Sequence, residues 1–441
     1  MRDPDGHVEF VGNEVLRTIK PGVSSIAFLK TEAARSMVNE GALLEYQFIS
    51  DDKLVSPRIG FVSYPSEWCD SQLYDAARFT LTLARRALEQ GYELKDASAY
   101  NIIFEGVFPR FCDHLSFVPI TSKQWWAMGQ FARHFILPLL LAKKLSWHAL
   151  RFHQLSADGI DPAQASRLLG LKKFITLAWP MMLDRSSRDT SGDQLQLSID
   201  VESPYHQSLI AYCGWCLKNP CEKQSSDWSG YVKTRSHYAL EASFLKREVV
   251  VEWISHVSPN WVIDLGCNTG EFSYLAANAG PSVVAIDSDH ACIAEIYRSA
   301  VQRGLKKIYP VIADITDLHS GGGWLGTERP DLISRLKSCG ELVMCLGLMH
   351  HFIAGNSIPL SHVAQFLAEL TEKFLILEVI SPTDPMVVSL MSSRRRSDIY
   401  PSSDDQICEI GKYFEILKSQ KVNETRELLL CAKRNIYCSH E

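Results

Sequence analysis

Through the C-terminal half of the chain, short apolar runs alternate with stretches of helical period. Val262–Leu265, Val283–Ile286, Ile308–Ile312, Leu342–Leu346 and Phe374–Val379 read as strands. Phe272–Ala279, His290–Arg303 and His362–Lys373 read as the helices between them. Strands alternating with helices predict a parallel sheet covered on both faces, an α/β architecture. Tyr413–Lys418 and Arg426–Ala432 read as two more strands joined by a polar turn, an antiparallel edge on that sheet.

The N-terminal half follows another pattern. His7–Val11 and Arg58–Ser63 are strand-like pieces, with Gly and Pro between them. From Leu73 to Gln90 the apolar positions fall at helical spacing, and Gly91 follows as a stop. Asn101–Phe104 and Arg110–Cys112 are short extended runs, and 121–156 reads as helical. Residues 157–225 are the least regular, with Asp184–Asp200 a linker or loop rich in Ser, Asp and Arg, and Lys218–Asp227 a second polar stretch. The pattern divides the chain into an N-terminal α+β domain (1–156), a helical or linker region (157–227) and an α/β domain (228–441).

Composition narrows the class. The 441 residues are 46% hydrophobic and 22% charged, ordinary globular values that exclude a disordered or fibrous chain. Lys plus Arg is 45 against 51 Asp plus Glu, a net charge of −6, which argues against a general nucleic-acid binder. The run Arg394–Arg396 reads as a solvated loop. Twelve cysteines scattered through apolar runs suit reduced thiols rather than a disulfide framework. The start is polar, and the longest apolar stretch, Phe135–Ala142, is too short to span a bilayer. The expectation is a cytoplasmic protein with no membrane partner and an open oligomeric state.

The chemistry concentrates in Val262-Ile-Asp-Leu-Gly-Cys-Asn-Thr-Gly270. A strand ends at Asp264 and Leu265, a Gly-x-x-x-Gly loop spans Gly266, Asn268 and Gly270, and a helix begins near Glu271. Glycines let the backbone turn sharply and approach a ligand, and the helix start offers free N–H groups. The second strand ends in Asp287, 21 residues after Gly266, where a carboxylate can accept from both hydroxyls of a ribose. The third leads to Asp314, placed to accept from an adenine amino group. The fourth runs into Leu346-Gly-Leu-Met-His-His-Phe352. A nicotinamide cofactor fits poorly, because Asn268 and Glu271 stand where its fingerprint wants glycine.

This ordered set resembles the class I S-adenosylmethionine-dependent methyltransferases. The resemblance implies a Rossmann-like, mostly parallel sheet of seven strands and S-adenosyl-L-methionine as cofactor. It implies that Asp264, Gly266, Asn268, Gly270 and Leu346 line the cofactor site, Asp287 holds the ribose and Asp314 the adenine. Trp228-Ser-Gly-Tyr231, Tyr238, Lys246, Glu328-Arg329, His350-His351, Leu377–Met386, Tyr64–Trp68, Leu94–Asn101 and Asp113–Phe117 are similar to a narrower group, bacterial methyltransferases related to the nodulation protein NoeA. Gly321-Gly-Gly-Trp324 departs from that group on the substrate side. Tyr231 and Tyr238 are candidates to close over the cofactor. His351, then His350, are candidate bases beside the methyl site, with Glu378 a further base or acceptor-binding group. The acceptor is expected to be a small molecule or glycan-type metabolite, with a protein acceptor second and no metal.

Two other constellations stand outside that set. Asp96-x4-Asn101 followed by Asp113 resembles the catalytic loop and metal-binding Asp of kinase-like folds. That makes a bifunctional or kinase-like phosphotransferase the alternative, and a kinase-like remnant used for substrate recognition another reading of residues 1–156. No glycine-rich phosphate loop precedes it. Cys213-Gly-Trp-Cys216 has no second pair and reads as packed thiols.

Overall fold

The computed structural model describes residues 4–121, 125–183, 204–220, 237–393 and 400–434. Two segments expected as polar linker or loop, Asp184–Asp200 and Arg394–Arg396, lie outside the described residues, as does most of Lys218–Asp227. The chain divides into two compact units, Met1–Lys223 and Gln224–Glu441.

The first unit opens with an antiparallel sheet of β1 (Gly6–Val11), β2 (Glu14–Ile19), β3 (Gln47–Ser50) and β4 (Lys53–Pro57), in the order β1-β2-β4-β3. The strand expected at Arg58–Ser63 does not form: pairing stops at Pro57, and prolines at 57 and 65 bracket a stretch that leads into the long helix. That helix is Asp70–Leu88, starting three residues earlier than its apolar stripe, and it buries Leu73, Ala76, Ala77, Leu81, Leu83 and Ala84. Beyond it, β5 (Tyr92–Leu94) pairs with β8 (Phe117–Pro119), and β6 (Ile102–Glu105) forms a hairpin with β7 (Phe108–Phe111). The helical stretch expected over 121–156 is broken. Met128–Lys144 carries one π-helical turn at Ala132–Ile136 just before Pro138, and short turns follow from Trp147.

In the second unit the helix His237–Val257 precedes a sheet of seven strands. These are β9 (Trp261–Leu265), β10 (Ser282–Asp287), β11 (Ile308–Ile312), β12 (Leu342–Cys345), β13 (Phe374–Ile380), β14 (Phe414–Lys421) and β15 (Arg426–Lys433), in the order β11-β10-β9-β12-β13-β15-β14. The first five are mutually parallel, and β15 and β14 add antiparallel at one edge. Residues 308–312 and 342–345 are buried throughout, as continuous apolar runs in a sheet covered on both faces must be. Val249, Val250, Trp253 and Ile254 of the long helix pack on Val262, Leu342, Met344, Ile376 and Leu428. The order reverses between β9 and β12, and the crevice at the carboxyl ends there is where such sheets bind ligands.

Candidate active site

A cavity of about 370 Å³ opens at these strand ends. One wall is the loop after β9. Gly266 has φ +65° and Gly270 φ +84°, conformations that glycine adopts without strain. Space excludes side chains there as well: a Cβ on Gly266 would lie 2.9 Å from Leu348 Cδ1, and one on Gly270 2.8 Å from Ile296 Cγ1. Asn268 takes the left-handed region too, at φ +49°. Its N–H donates to Asp287 Oδ2 at 2.8 Å, pinning the loop to the end of β10. Gly270 caps the helix Glu271–Ala279 without any side-chain hydrogen bond to its first N–H groups.

Four carboxylates line the same cavity. Asp264 is 2% exposed and accepts from Ser273 Oγ at 2.6 Å. Burial pushes its carboxyl up to about 7, against the pull of the Ser273 bond. Asp287 accepts from Asn268 N on one oxygen and from Asp289 N, at 2.8 Å, on the other, and burial raises it as well. Each oxygen keeps a lone pair for a further donor. Asp314 receives Thr316 N and Oγ1 on Oδ1, leaving Oδ2 to meet a ligand. Glu271 is paired with Arg247. Leu346 adds an apolar contact.

Opposite chemistry lines the rest. His350 and His351 lie with ring centroids 4.2 Å apart. His350 is 3% exposed, and its Nδ1 is buried with no hydrogen-bond partner. Burial first, then the His351 and Arg426 charges, push His350 down to about 3, and burial lowers His351. Lys246 and Arg426 also line the cavity. Behind them, Glu378 is 1% exposed, accepts from Lys246 Nζ at 2.7 Å, and lies 3.6 Å from Arg426 Nη1. Asp384 holds Arg426 through Nε at 2.8 Å and Nη2 at 3.1 Å.

Sequence reasoning thus named Asp264, Asp287, Asp314, the glycine loop, Leu346 and the histidines that line the cavity, and missed Glu271, Lys246 and Arg426 as parts of it. Lys246 sits on a long helix and Arg426 at a strand start, positions where a charge ordinarily faces solvent. Glu378 stands behind the wall rather than on it. Burial alone would raise its carboxyl, but Lys246 and Arg426 together outweigh burial and hold it below the usual range. A carboxylate held between two cations is a poor proton acceptor. Tyr231 lies outside the described residues, and Tyr238 falls in the helix His237–Val257 with its side chain undescribed.

In the first unit, Asp96 and Asp113 are close enough that the Asp113 charge helps burial raise the Asp96 carboxyl. Cys112 N donates to Asn101 O at 2.9 Å across the β6–β7 hairpin. Asp113 Oδ1 is 3.2 Å from Arg17 Nη1, and its other oxygen accepts from Ser116 Oγ. Cys213 and Cys216 are buried free thiols. No group of three or more His, Cys, Asp or Glu suited to a metal ion occurs among the described residues, and no described helix is long and apolar enough to cross a membrane.

The strand order, the glycine loop and the acids at successive strand ends match the class I methyltransferases that the sequence resembles. Residues 231–321 match the family described as tellurite resistance protein TehB. Over 99% of its length the chain is 28% identical to the nodulation protein NoeA of Rhizobium meliloti (strain 1021), covering 94% of that protein. A shorter stretch, 19% of each chain, is 34% identical to the 23S rRNA (uracil(1939)-C(5))-methyltransferase RlmD of Shewanella halifaxensis. Among solved structures, the magnesium protoporphyrin IX methyltransferase of Synechocystis aligns with 47% of this chain and 93% of its own, at 17% identity and TM-score 0.35. The bifunctional kinase-methyltransferase WbdD aligns with 44% of this chain and 38% of its own, at 18% identity and TM-score 0.30.

Proposed function

We propose that the chain is an S-adenosylmethionine-dependent methyltransferase acting on a small molecule or glycan-type metabolite. The observation that carries this reading is Asp287. It stands at the end of β10, beside the glycine loop, facing the cavity with an acceptor lone pair left on each oxygen. A ribose diol requires that arrangement, and the close-packed glycines make the cradle for the amino-acid end. Asp314 Oδ2 accepts from the adenine amino group, and the uncapped helix start meets the methionine carboxylate. When bound, the cofactor supplies a methyl group on a sulfonium.

The chain's own residues align the acceptor. His350 and His351 sit past β12 and hydrogen-bond the acceptor as neutral imidazoles. Glu378 and Asp384 hold Lys246 and Arg426 in place. The N-terminal domain, residues 1–156, recruits the acceptor in this reading. The phosphotransferase alternative is disfavoured, because the carboxylate that would take the metal, Asp113, already has Arg17 as its counter-ion.

Calorimetric titration with S-adenosylmethionine, and separately with ATP and Mg²⁺, tests the assignment. One-to-one binding of the first alone is expected. Binding of ATP alone would move the active centre to Asp96, Asn101 and Asp113.

A further inference from the structure

We propose that the acceptor is an oxyanion, a compound presenting a carboxylate or phosphate group, and that it docks on Lys246 and Arg426. The proposal rests on the methyltransferase reading and specifies the substrate class of that site.

The argument begins with what each ionisable group in the cavity already does. The four lining carboxylates are engaged, by Ser273, by Arg247, by two backbone N–H groups and by Thr316. In the methyltransferase reading, the lone pairs that Asp287 and Asp314 have left go to the cofactor's ribose and adenine, while Asp264 and Glu271 are held by Ser273 and Arg247. Glu378, the remaining acid close by, lies behind the wall with two cations against it. The two imidazoles sit 4.2 Å apart, so a proton arriving on one is repelled by any charge on the other, and burial disfavours both charged forms. This end of the cavity is built to donate hydrogen bonds rather than to remove protons.

The cations have the complementary arrangement. Lys246 and Arg426 line the cavity, while the carboxylates that fix them, Glu378 and Asp384, do not. Lys246 gives one N–H to Glu378, and its ammonium, 5.0 Å from the Phe272 ring centroid, has further donors to offer. Because these side chains are held from behind, little rotamer entropy remains to be lost when a ligand arrives.

The chemistry fits such an acceptor. An acceptor oxygen that is already anionic forms its bond to the methyl carbon as the carbon–sulfur bond breaks. The electron pair of that bond stays on sulfur, which becomes a neutral thioether. The acceptor's negative charge and the sulfonium's positive charge cancel, and no proton moves. Away from bulk water, a step in which opposite charges annihilate is favoured. A neutral hydroxyl would instead have to pass its proton to one of two adjacent buried imidazoles, whose charged forms burial disfavours.

The test is a binding measurement on the full chain. The protein is first titrated with S-adenosylhomocysteine, then, saturated with it, with benzoate, phenyl phosphate and benzyl alcohol, which share one ring and differ in the polar group. Benzoate or phenyl phosphate is expected to bind about tenfold or more tighter than benzyl alcohol, the worth of a charge-assisted hydrogen bond. The tighter of the two separates a carboxylate from a phosphate acceptor. Lys246→Met and Arg426→Gln, each checked for native circular dichroism, should lose about that factor, and Lys246→Arg should restore part of it. Benzyl alcohol binding as tightly as the oxyanions, no oxyanion binding at millimolar concentration, or affinities indifferent to both substitutions would overturn the proposal. Failure of S-adenosylhomocysteine to bind would instead overturn the methyltransferase reading beneath it.

Discussion

The two units carry similar acidic constellations, and they differ in what the acids have left to give. In the second unit, Asp287 and Asp314 use backbone N–H groups and a threonine to fix their orientation and still face a cavity with acceptor capacity to spare. In the first unit, Asp113 spends its charge on Arg17 and its second oxygen on Ser116. Asp96 accepts from Ser98 N at 2.9 Å. Spacing along the chain reports which residue types meet. Whether they meet a ligand or one another depends on partners from distant strands, and Arg17 lies 96 residues from Asp113.

The largest effect that sharpens this contrast is expected from Asp287→Ala. Removing acceptors for two hydroxyls should weaken S-adenosylmethionine by roughly a hundredfold, about 3 kcal/mol, while the Asn268 and Asp289 N–H groups it leaves unpaired lower stability by about 1 kcal/mol, in calorimetry and melting experiments on the same samples. Unaltered affinity would break the ribose assignment and make Asp287 a loop anchor like Asp113.

Asp264 offers a pH signature of the second unit. Its folded carboxyl is raised to about 7 from 3.8, chiefly by burial, so the folded state keeps a proton that the unfolded state has lost. The stabilisation this gives is full below about pH 4 and is lost as pH rises toward 7. Asp264→Asn, which cannot ionise, should therefore gain stability relative to wild type across that window, read by urea denaturation at successive pH values. Parallel curves would mean that Asp264 is ionised throughout and that Ser273 outweighs its burial.

Arg17→Met probes the first unit. It leaves a largely buried Asp113 without its counter-ion, and a loss of about 2 kcal/mol is expected by denaturant melt. If the variant instead keeps wild-type stability and gains binding of Mg²⁺ with ATP, the first unit is a phosphate site masked by one arginine, and the contrast between the units collapses.

How far the sequence reached follows from the same physics. The central strands were legible because burial on both faces writes continuous apolar runs; Ile308–Ile312 was read to the residue. The glycine loop was legible because only glycine fits at Gly266 and Gly270. The helices Pro385–Ser393 and Ser403–Gly411 went unread, being short and flanking a polar stretch. Glu378 was read as a base or acceptor-binding group because, like Asp287, it is an acid in the C-terminal part of a strand. What separates the two is Lys246 and Arg426, 132 residues before Glu378 in one case and on an antiparallel neighbour in the other. No local pattern carries that information.

The smallest effect, and the most selective, is expected from Asp314→Asn. Asparagine keeps a carbonyl oxygen where Oδ1 accepts from Thr316 N at 3.0 Å and Thr316 Oγ1 at 2.7 Å, so the turn after β11 should hold its shape. The other position changes from acceptor to N–H donor. An adenine amino group, itself a donor, then meets a donor, and the site loses one hydrogen bond without losing its geometry. Affinity for S-adenosylmethionine should fall about tenfold, near 1 kcal/mol, while S-inosylmethionine, whose ring carries a carbonyl oxygen at that position, should lose less or gain. That inversion distinguishes a residue that reads the base from one that only shapes the loop: a structural Asp314 would weaken both ligands alike, as a disturbed turn must.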